Sequence, residues 1–150
     1  MTALENSPRV TPFLWYDSNA GEAVDFYLSI FKNSRRLEEL PGPGGKVMTI
    51  SFELDGQKFA AINGGPYFKF TEAVSFVVRC DSQEEIDYYY DSLVAGGIES
   101  QCGWLKDKFG LSWQVVPGKL TDLVRHPKAM QAMMKMKKLI IADLEAAAAS

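Results

Sequence analysis

Few residues of this chain have both the type and the spacing that covalent or acid–base catalysis needs. The one histidine, His126, stands immediately before Pro127, and the two cysteines, Cys80 and Cys102, lack C-x-x-C spacing. A Ser-His or Cys-His nucleophile would depend on His126, and the sequence indicates no partner for it. We interpret His126 as a surface residue and both cysteines as free thiols, with a single disulfide as the alternative.

The elements that must position the other polar residues can be predicted from hydrophobic periodicity and turn signals. Strands are predicted over 9–16, 46–54, 57–63, 74–80, 99–105 and 111–116, and helices over 20–31 and 83–95. Residues 32–40 are interpreted as a polar stretch, and 119–149 as helical segments interrupted near Pro127. The Asp55-Gly56 pair predicts a tight hairpin, and the spacing from Ser82 to Glu85 predicts a helix capping box.

The order strand, helix, strands occurs twice along the chain. Residues 22–27 (EAVDFY) also resemble residues 84–89 (EEIDYY), although chance similarity between two amphipathic helices is an alternative. The economical explanation is an α+β fold of tandem β-α-β-β-β units, which form a curved mixed sheet cup followed by C-terminal helices. We predict one domain over 1–150, with unit 1 at about 9–63, unit 2 at about 74–116 and a helical tail at 119–149.

Composition excludes several classes of protein. With 47% hydrophobic and 23% charged residues, the 150-residue chain is an ordinary globular sequence. A formal net charge of -3 argues against a broad surface for nucleic acid or anionic membranes. No signal peptide and no apolar run of about 18 residues is apparent, so the sequence predicts a soluble cytoplasmic protein.

Alternation along the strands separates two faces of the predicted sheet. The face predicted to lie under the helices is wholly apolar: Phe13, Trp15, Met48, Ile50, Phe52, Phe76, Val78, Trp113 and Val115. The other face is mixed: Leu14, Tyr16, Thr49, Ser51, Glu53, Ser75, Val77, Arg79, Ser112 and Gln114. A mixed face is either solvated or a cup with a few aimed polar groups, which is typical of ligand sites.

We favour the cup, and the residues predicted to contact a ligand are Tyr16, Glu53, Arg79, Trp104 and Gln114. Arg79 would hold an anionic or carbonyl group of the ligand. For Glu53 the alternative is a cross-strand ion pair with Lys58, which the Asp55-Gly56 turn places opposite it.

Four stretches of the sequence resemble one known family. They are TPFLWYD at 11–17 running into AVDFY at 23–27, NGGP at 63–66 with FKFTEA at 68–73, QCGWLKD at 101–107 with FGLSWQVVP at 109–117, and residues 133–145. The family is the PhnB-like branch of the vicinal oxygen chelate (glyoxalase, bleomycin-resistance, extradiol dioxygenase) superfamily, often labelled as a 3-demethylubiquinone-9 3-methyltransferase domain. The resemblance implies paired β-α-β-β-β units and homodimers.

The resemblance also implies a divalent metal in catalytic relatives, held by four strand residues. Those positions fall on Pro12, Ser75, Gln114 and one residue near 60–62, where the chain has Ala60, Ala61 and Ile62. Proline, alanine and isoleucine side chains offer no lone pair to a metal, serine is a poor ligand, and glutamine is neutral and weak. We therefore expect neither a metal nor another cofactor in this chain.

Three functions remain open at this point. The first is a homodimer that binds a small molecule of unknown identity without the usual metal, and without nucleic acid or membrane partners. The second is an enzyme, either a metal-dependent lyase, isomerase or dioxygenase with non-standard ligands, or a methyltransferase as the family label says. No glycine-rich loop that would bind a methyl donor lies between a strand and a helix. The third is a structural or regulatory dimer with a filled cup.

Overall fold

Both halves of the chain fold as a strand, a helix and three further strands. The computed structural model describes residues 2–150, and the chain divides into unit 1, Met1–Lys69, and unit 2, Phe70–Ser150. Unit 1 contains β1 (Phe13–Tyr16), α1 (Ala20–Ile30), β2 (Arg35–Pro41), a 3-10 turn (Pro43–Gly45), β3 (Val47–Leu54) and β4 (Gln57–Asn63). Unit 2 contains β5 (Ser75–Cys80), α2 (Gln83–Val94), β6 (Ile98–Glu99), β7 (Trp104–Lys106), β8 (Ser112–Pro117), α3 (Leu120–Val124), α4 (Pro127–Met134) and α5 (Ile141–Ala149). The predicted α+β class, the tandem β-α-β-β-β order and the C-terminal helices are confirmed.

The two units share one sheet topology. The strand order is β1-β4-β3-β2 in unit 1 and β5-β8-β7-β6 in unit 2. In each unit the first strand pairs in parallel with the last, and the other pairings are antiparallel. The hairpin at Asp55-Gly56 forms as predicted, because both residues adopt the positive φ angles, 47° and 86°, that suit a two-residue turn.

Each unit buries one face of its sheet under its own helix. From α1, the side chains of Ala23, Val24 and Tyr27 are buried, and from α2 those of Ile86, Tyr90 and Leu93. Fully burying a large apolar side chain contributes about 1.5–3 kcal/mol, so these rows supply much of the stability of each unit. The predicted cap of α2 is present, since Ser82 Oγ accepts a hydrogen bond from the backbone N–H of Glu85 at 3.2 Å.

Two segments differ from the sequence prediction. The polar stretch contains an edge strand, β2, whose register shifts between Arg36 and Glu38 and again between Leu40 and Pro41. Such irregularities remove the two-residue alternation by which strands are recognised, and charged edge strands are common because they resist pairing with other chains. The strand predicted over 99–105 is two short strands, β6 and β7, separated by a loop.

The C-terminal segment is fixed to unit 2 by backbone and side-chain hydrogen bonds. The amide of Gln83 on α2 donates to the carbonyl of Leu139 at 3.0 Å and accepts from the N–H of Ile141 at 2.8 Å. The loop before β7 donates from Cys102 N to Met136 O and from Gly103 N to Lys137 O, at 2.8 and 2.7 Å. Leu139 and Leu144 pack with Val116 of β8 in a separate apolar cluster.

The interruption predicted near Pro127 is confirmed, because α4 begins at that residue. His126 precedes the helix and is exposed, as expected. None of the helices described for residues 2–150 combines the length and the apolar content that spanning a lipid bilayer requires.

Gly103 provides the first testable prediction. Its φ is +86°, and a Cβ there would lie 2.8 Å from the Val115 carbonyl oxygen and 3.1 Å from Leu139 Cγ. Gly110 has the same backbone conformation, φ +89°, with open space around it. We expect Gly110→Ala to lower the free energy of unfolding by about 1 kcal/mol and Gly103→Ala by roughly 3 kcal/mol, because only the second adds a backbone clash. Urea unfolding measures both values, and equal losses would contradict the close approach.

Candidate functional site

The face of unit 2 that its helix leaves uncovered collects most of the predicted site residues. Val78, Cys80, Trp113, Val115 and Leu105 are buried on the face toward α2. Strand alternation and register place the following residues on the opposite side, which we call the unit 2 open face: Ser75, Val77, Arg79, Trp104, Lys106, Ser112, Gln114 and Val116. Arg79, Trp104 and Gln114 therefore share one face, as predicted.

The centre of the unit 2 open face combines apolar surface with a neutral polar pair. Val77, Gln114 and Trp104 form one row across β5, β8 and β7. Gln114 Nε2 donates to Ser75 Oγ at 2.9 Å. The Trp104 side chain is half-buried, whereas Val77 keeps 59% of its surface exposed. Small-molecule sites in proteins commonly combine an apolar surface with a few oriented polar groups.

Arg79 lies at the end of the unit 2 open face near the start of the C-terminal helices. It is opposite Val116, whose side chain packs in the apolar cluster with Leu139. The guanidinium forms an ion pair with Asp81, and the Arg79 side chain keeps 67% of its surface exposed. An exposed ion pair of this kind contributes little to stability, so Arg79 is available for another anion.

The start of β8 carries a polar atom without a partner. Ser112 is completely buried, and within residues 2–150 its Oγ makes no hydrogen bond. Its neighbour across the strands, Lys106, forms an ion pair with Glu72, and this interaction lowers the pKa of the Glu72 carboxyl. Alternation in the sequence placed Ser112 on the mixed face but did not predict its burial, because the burial of a single hydroxyl has no signature in the residue pattern.

The corresponding face of unit 1 is charged at one end and apolar at the other. We call it the unit 1 open face: Phe13, Trp15, Arg35, Glu38, Thr49, Ser51, Glu53, Lys58, Ala60 and Ile62. Arg35, Glu53 and Lys58 form one row across β2, β3 and β4. At the other end the indole of Trp15 donates to the Gly65 carbonyl at 3.0 Å and meets the ring of Phe68 edge-on, with centroids 4.9 Å apart.

Glu53 lies opposite Lys58 as predicted, but its carboxylate does not pair with that lysine. The Glu53 Oε2 atom accepts from Arg35 Nε at 3.2 Å, and the Glu53 side chain is only 19% exposed. The Lys58 ammonium donates instead to the backbone carbonyl of Asn6. The strand that carries Arg35 was not predicted, and for that reason the sequence suggested the wrong partner.

Tyr16 is a correction to the predicted site. Its side chain is 3% exposed, and its hydroxyl lies 3.1 Å from the Tyr27 hydroxyl on α1. Leu14 is buried as well, whereas Phe13 is 58% exposed, so the faces of β1 are the reverse of the predicted ones. Every residue of β1 is apolar or aromatic, and alternation of polarity could not orient that strand.

The positions that hold a metal in catalytic relatives carry side chains unsuited to it. Ser75 and Gln114 hydrogen-bond to each other, and Pro12, Ala60, Ala61 and Ile62 offer no side-chain donor. Among residues 2–150, no group of three or more His, Cys, Asp and Glu side chains is arranged to hold a metal ion. The residues present therefore do not fit the divalent metal that the resemblance implies.

Neither cysteine is placed as a nucleophile. Burial raises the pKa of the Cys80 thiol to about 11, so the reactive thiolate is disfavoured at neutral pH. Cys102 has a left-handed backbone conformation, φ 61°, in the loop that binds the C-terminal segment. Its position suits a structural role in that loop, and both thiols are free.

Comparison with known proteins gives a family match and several similar folds. Residues 8–116 match the family described as 3-demethylubiquinone-9 3-methyltransferase. The chain is 32% identical to the PhnB protein from Bacillus cereus, with a TM-score of 0.69 over 73% of this chain and 99% of that one. No curated protein matches the chain.

Two more distant structures share the fold alone. Protein PA1353 from Pseudomonas aeruginosa is 21% identical, with a TM-score of 0.63 over 74% of this chain and 98% of that one. The genomically encoded fosfomycin resistance protein FosX from Listeria monocytogenes is 17% identical, with a TM-score of 0.60 over 77% of this chain and 95% of that one. Helices α3–α5 lie beyond the family match, which ends at Val116.

The raised pKa of Cys80 makes a prediction for alkaline pH. The pKa is about 11 in the fold against 9.0 ordinarily, so between these values the unfolded chain releases a proton that the folded chain keeps. Stability therefore falls as pH rises through this window, by roughly 2 kcal/mol from this group. We expect Cys80→Ala to flatten the decline in unfolding free energy between pH 9 and 11.

Val78→Ala is the matched control, because it shortens a buried residue on the same strand face without removing a titrating group. Burial also raises the pKa of Tyr90, to about 12, and this contribution is common to all three proteins. An unchanged slope in Cys80→Ala would contradict the assignment.

Proposed function

This chain belongs to the 3-demethylubiquinone-9 3-methyltransferase family, the PhnB-like branch of the vicinal oxygen chelate superfamily, and from that premise we propose that it binds a small organic molecule on the unit 2 open face without a divalent metal. The observation that carries the proposal is the 2.9 Å hydrogen bond from Gln114 to Ser75. Two positions that the resemblance assigns to metal ligands carry instead a neutral amide and a hydroxyl, which are hydrogen-bonded to each other.

The hydrogen-bonding capacity left in this pair indicates the chemistry of the ligand. Gln114 uses one amide hydrogen on Ser75, and its Oε1 remains an acceptor. The Ser75 hydroxyl accepts that bond and keeps its own proton to donate. A neutral group with a donor next to an acceptor, such as an amide or a hydroxy-carbonyl, matches both. The half-buried face of Trp104 and the exposed Val77 side chain would pack on the apolar part of the ligand.

Arg79 gives the proposed site an exposed cation. Because its ion pair with Asp81 is solvent-exposed, a carbonyl or carboxylate at the edge of the ligand would compete for the guanidinium at little loss. Glu53 belongs to the unit 1 open face, and we assign it no part in this site. Tyr16, under α1, is likewise left out.

Methyl transfer, which the family description names, finds little support in the glycine-rich segments. Donor-binding loops commonly run from a strand into the N-terminus of a helix, where backbone N–H groups converge. Pro43–Gly45 connects the antiparallel strands β2 and β3, and Gly64-Gly65 follows β4, the last strand of unit 1 along the chain. Neither segment begins a helix of the required kind. We therefore propose binding rather than transfer.

We also propose that the protein acts as a homodimer. Strand β1 is at one edge of its sheet and β5 at one edge of its own. Exposed sheet edges favour pairing or coverage by another chain, and a second copy of this chain would provide it.

The site is tested by affinity selection with variants of unit 2. Protein incubated with a small-molecule metabolite extract is separated by filtration, and the retained compounds are identified by mass spectrometry. We expect Trp104→Ala and Gln114→Ala to weaken retention of the same compounds by about 10-fold or more, because each removes roughly 1.5 kcal/mol of packing or hydrogen bonding. Tyr88→Ala, an exposed aromatic residue on α2, is the matched control and should retain them fully.

The proposal fails if wild type retains nothing, or if the two site variants retain the same compounds as Tyr88→Ala. Circular dichroism and thermal unfolding of all three variants establish that a loss of retention is not a loss of fold.

Metal dependence and oligomeric state are tested together by native mass spectrometry of protein purified without chelators. We expect a dimer without stoichiometric metal, and no change in compound retention after treatment with EDTA, because the four metal positions lack suitable donors. One bound Mn²⁺, Ni²⁺ or Zn²⁺ per chain would contradict a metal-free site. A monomer at micromolar concentration would contradict the dimer.

A further inference from the structure

A cavity of about 400 Å³ lies in unit 1, and none of its lining residues belongs to the ligand site proposed for unit 2. One wall is formed by strands β2 and β4, with Arg35, Glu38 and Lys58. The opposite wall is the N-terminal segment, residues 2–7, through Thr2, Ala3 and Asn6. Its volume is within the range of sites for small organic ligands, and its lining is mainly polar rather than apolar.

The N-terminal segment is held over the strands by side chains of the cavity itself. The backbone N–H of Ala3 donates to Glu38 Oε2 at 2.7 Å, and the Lys58 ammonium donates to the Asn6 carbonyl. Within the segment, Ser7 Oγ donates to the Ala3 carbonyl at 2.7 Å. Hydrogen bonds to both β2 and β4 therefore hold the segment beside the cavity, which remains open to solvent.

The charges in the cavity are only partly neutralised. Arg35 donates from Nε to Glu53, and its side chain is 70% exposed, so its terminal nitrogens are accessible to a ligand. The Lys58 ammonium donates to a neutral carbonyl, and within residues 2–150 it forms no ion pair. Two terminal guanidinium nitrogens match the two oxygens of a carboxylate, and the Lys58 ammonium adds a further donor.

Glu38 supplies the opposite charge. Only its Oε2 is engaged by the Ala3 N–H, so Oε1 can accept from an ammonium group. A cavity with two available cations and one available carboxylate oxygen complements a molecule that carries both signs of charge. A purely anionic molecule would be repelled by Glu38, and a purely cationic one by Arg35 and Lys58.

We propose that this cavity is a binding site for a small zwitterion, whose carboxylate is held by Arg35 and Lys58 and whose ammonium group is held by Glu38. The site uses unit 1 alone and does not rest on the function proposed for unit 2. Binding would also stabilise the N-terminal segment against its strands, since Ala3 and Asn6 share their partners with the ligand.

The test is an NMR titration of the full chain with ω-amino acids from 4-aminobutyrate to 6-aminohexanoate. Hexanoate and hexylamine carry one charge each and serve as matched probes. We expect an ω-amino acid to shift the backbone amide signals of Ala3 and Asn6 and to bind more tightly than either singly charged probe. Failure of every ω-amino acid to shift these signals, or equal binding of hexanoate, overturns the proposal.

Variants of the charged residues in and beside the cavity test which of them bind the ligand. Arg35→Gln and Lys58→Gln should weaken the best probe by about 10-fold, because each removes a hydrogen bond to a charged group. Arg36→Gln is the matched control: it is the next residue on β2 and pairs with Asp25 and Glu39 outside the cavity. Glu38→Gln should remove the preference for the amino acid over hexanoate. Equal affinities in Arg35→Gln and Arg36→Gln would refute the assignment.

Discussion

The parallel pairing of the first and last strands in each unit is the constraint on which the rest of the structure depends. Parallel neighbours cannot be joined by a tight turn, so the chain must cross the sheet, and it does so through a helix that covers one face. In unit 1 the crossing begins with α1 between β1 and β2, and in unit 2 with α2 between β5 and β6. The opposite faces have no helix of that crossing to cover them, and the residues of both proposed binding sites lie on those faces or at their ends.

The two units share this frame but present different chemistry on it. Unit 1 carries full charges in a row, Arg35 beside Glu53 beside Lys58. Unit 2 carries Gln114 at the centre of its open face, hydrogen-bonded to a hydroxyl. Burying a charged group costs much free energy unless water or a partner of opposite charge is close. Burying a neutral amide costs less when the amide is hydrogen-bonded. The same fold thus carries an ion-pair row on one open face and an amide–hydroxyl pair on the other.

Segments with clear hydrophobic periodicity were predicted correctly. Segments without it were missed or assigned the wrong face. Alternation in β3 identified both of its faces, and the same reasoning placed Arg79 and Gln114 together. It failed at Tyr16, because β1 has no polar residue to break the symmetry between faces. It also failed at β2, where register shifts interrupt the alternation. Because β2 was not predicted, neither the ion pair between Arg35 and Glu53 nor the cavity beside β2 could be predicted. Side-chain hydrogen bonds across distant segments, such as that of Gln83, leave no local signature at all.

The C-terminal helices lie beyond the family match but pack against residues within it. The family match ends at Val116, yet Val116 itself is covered by Leu139 and Leu144. The amide of Gln83, in the middle of the matched region, likewise satisfies its bonds with Leu139 and Ile141. A chain shortened to the region of homology would expose an apolar cluster and leave a helix side chain without its partners. In this chain, residues beyond the family match therefore cover and hydrogen-bond residues within it.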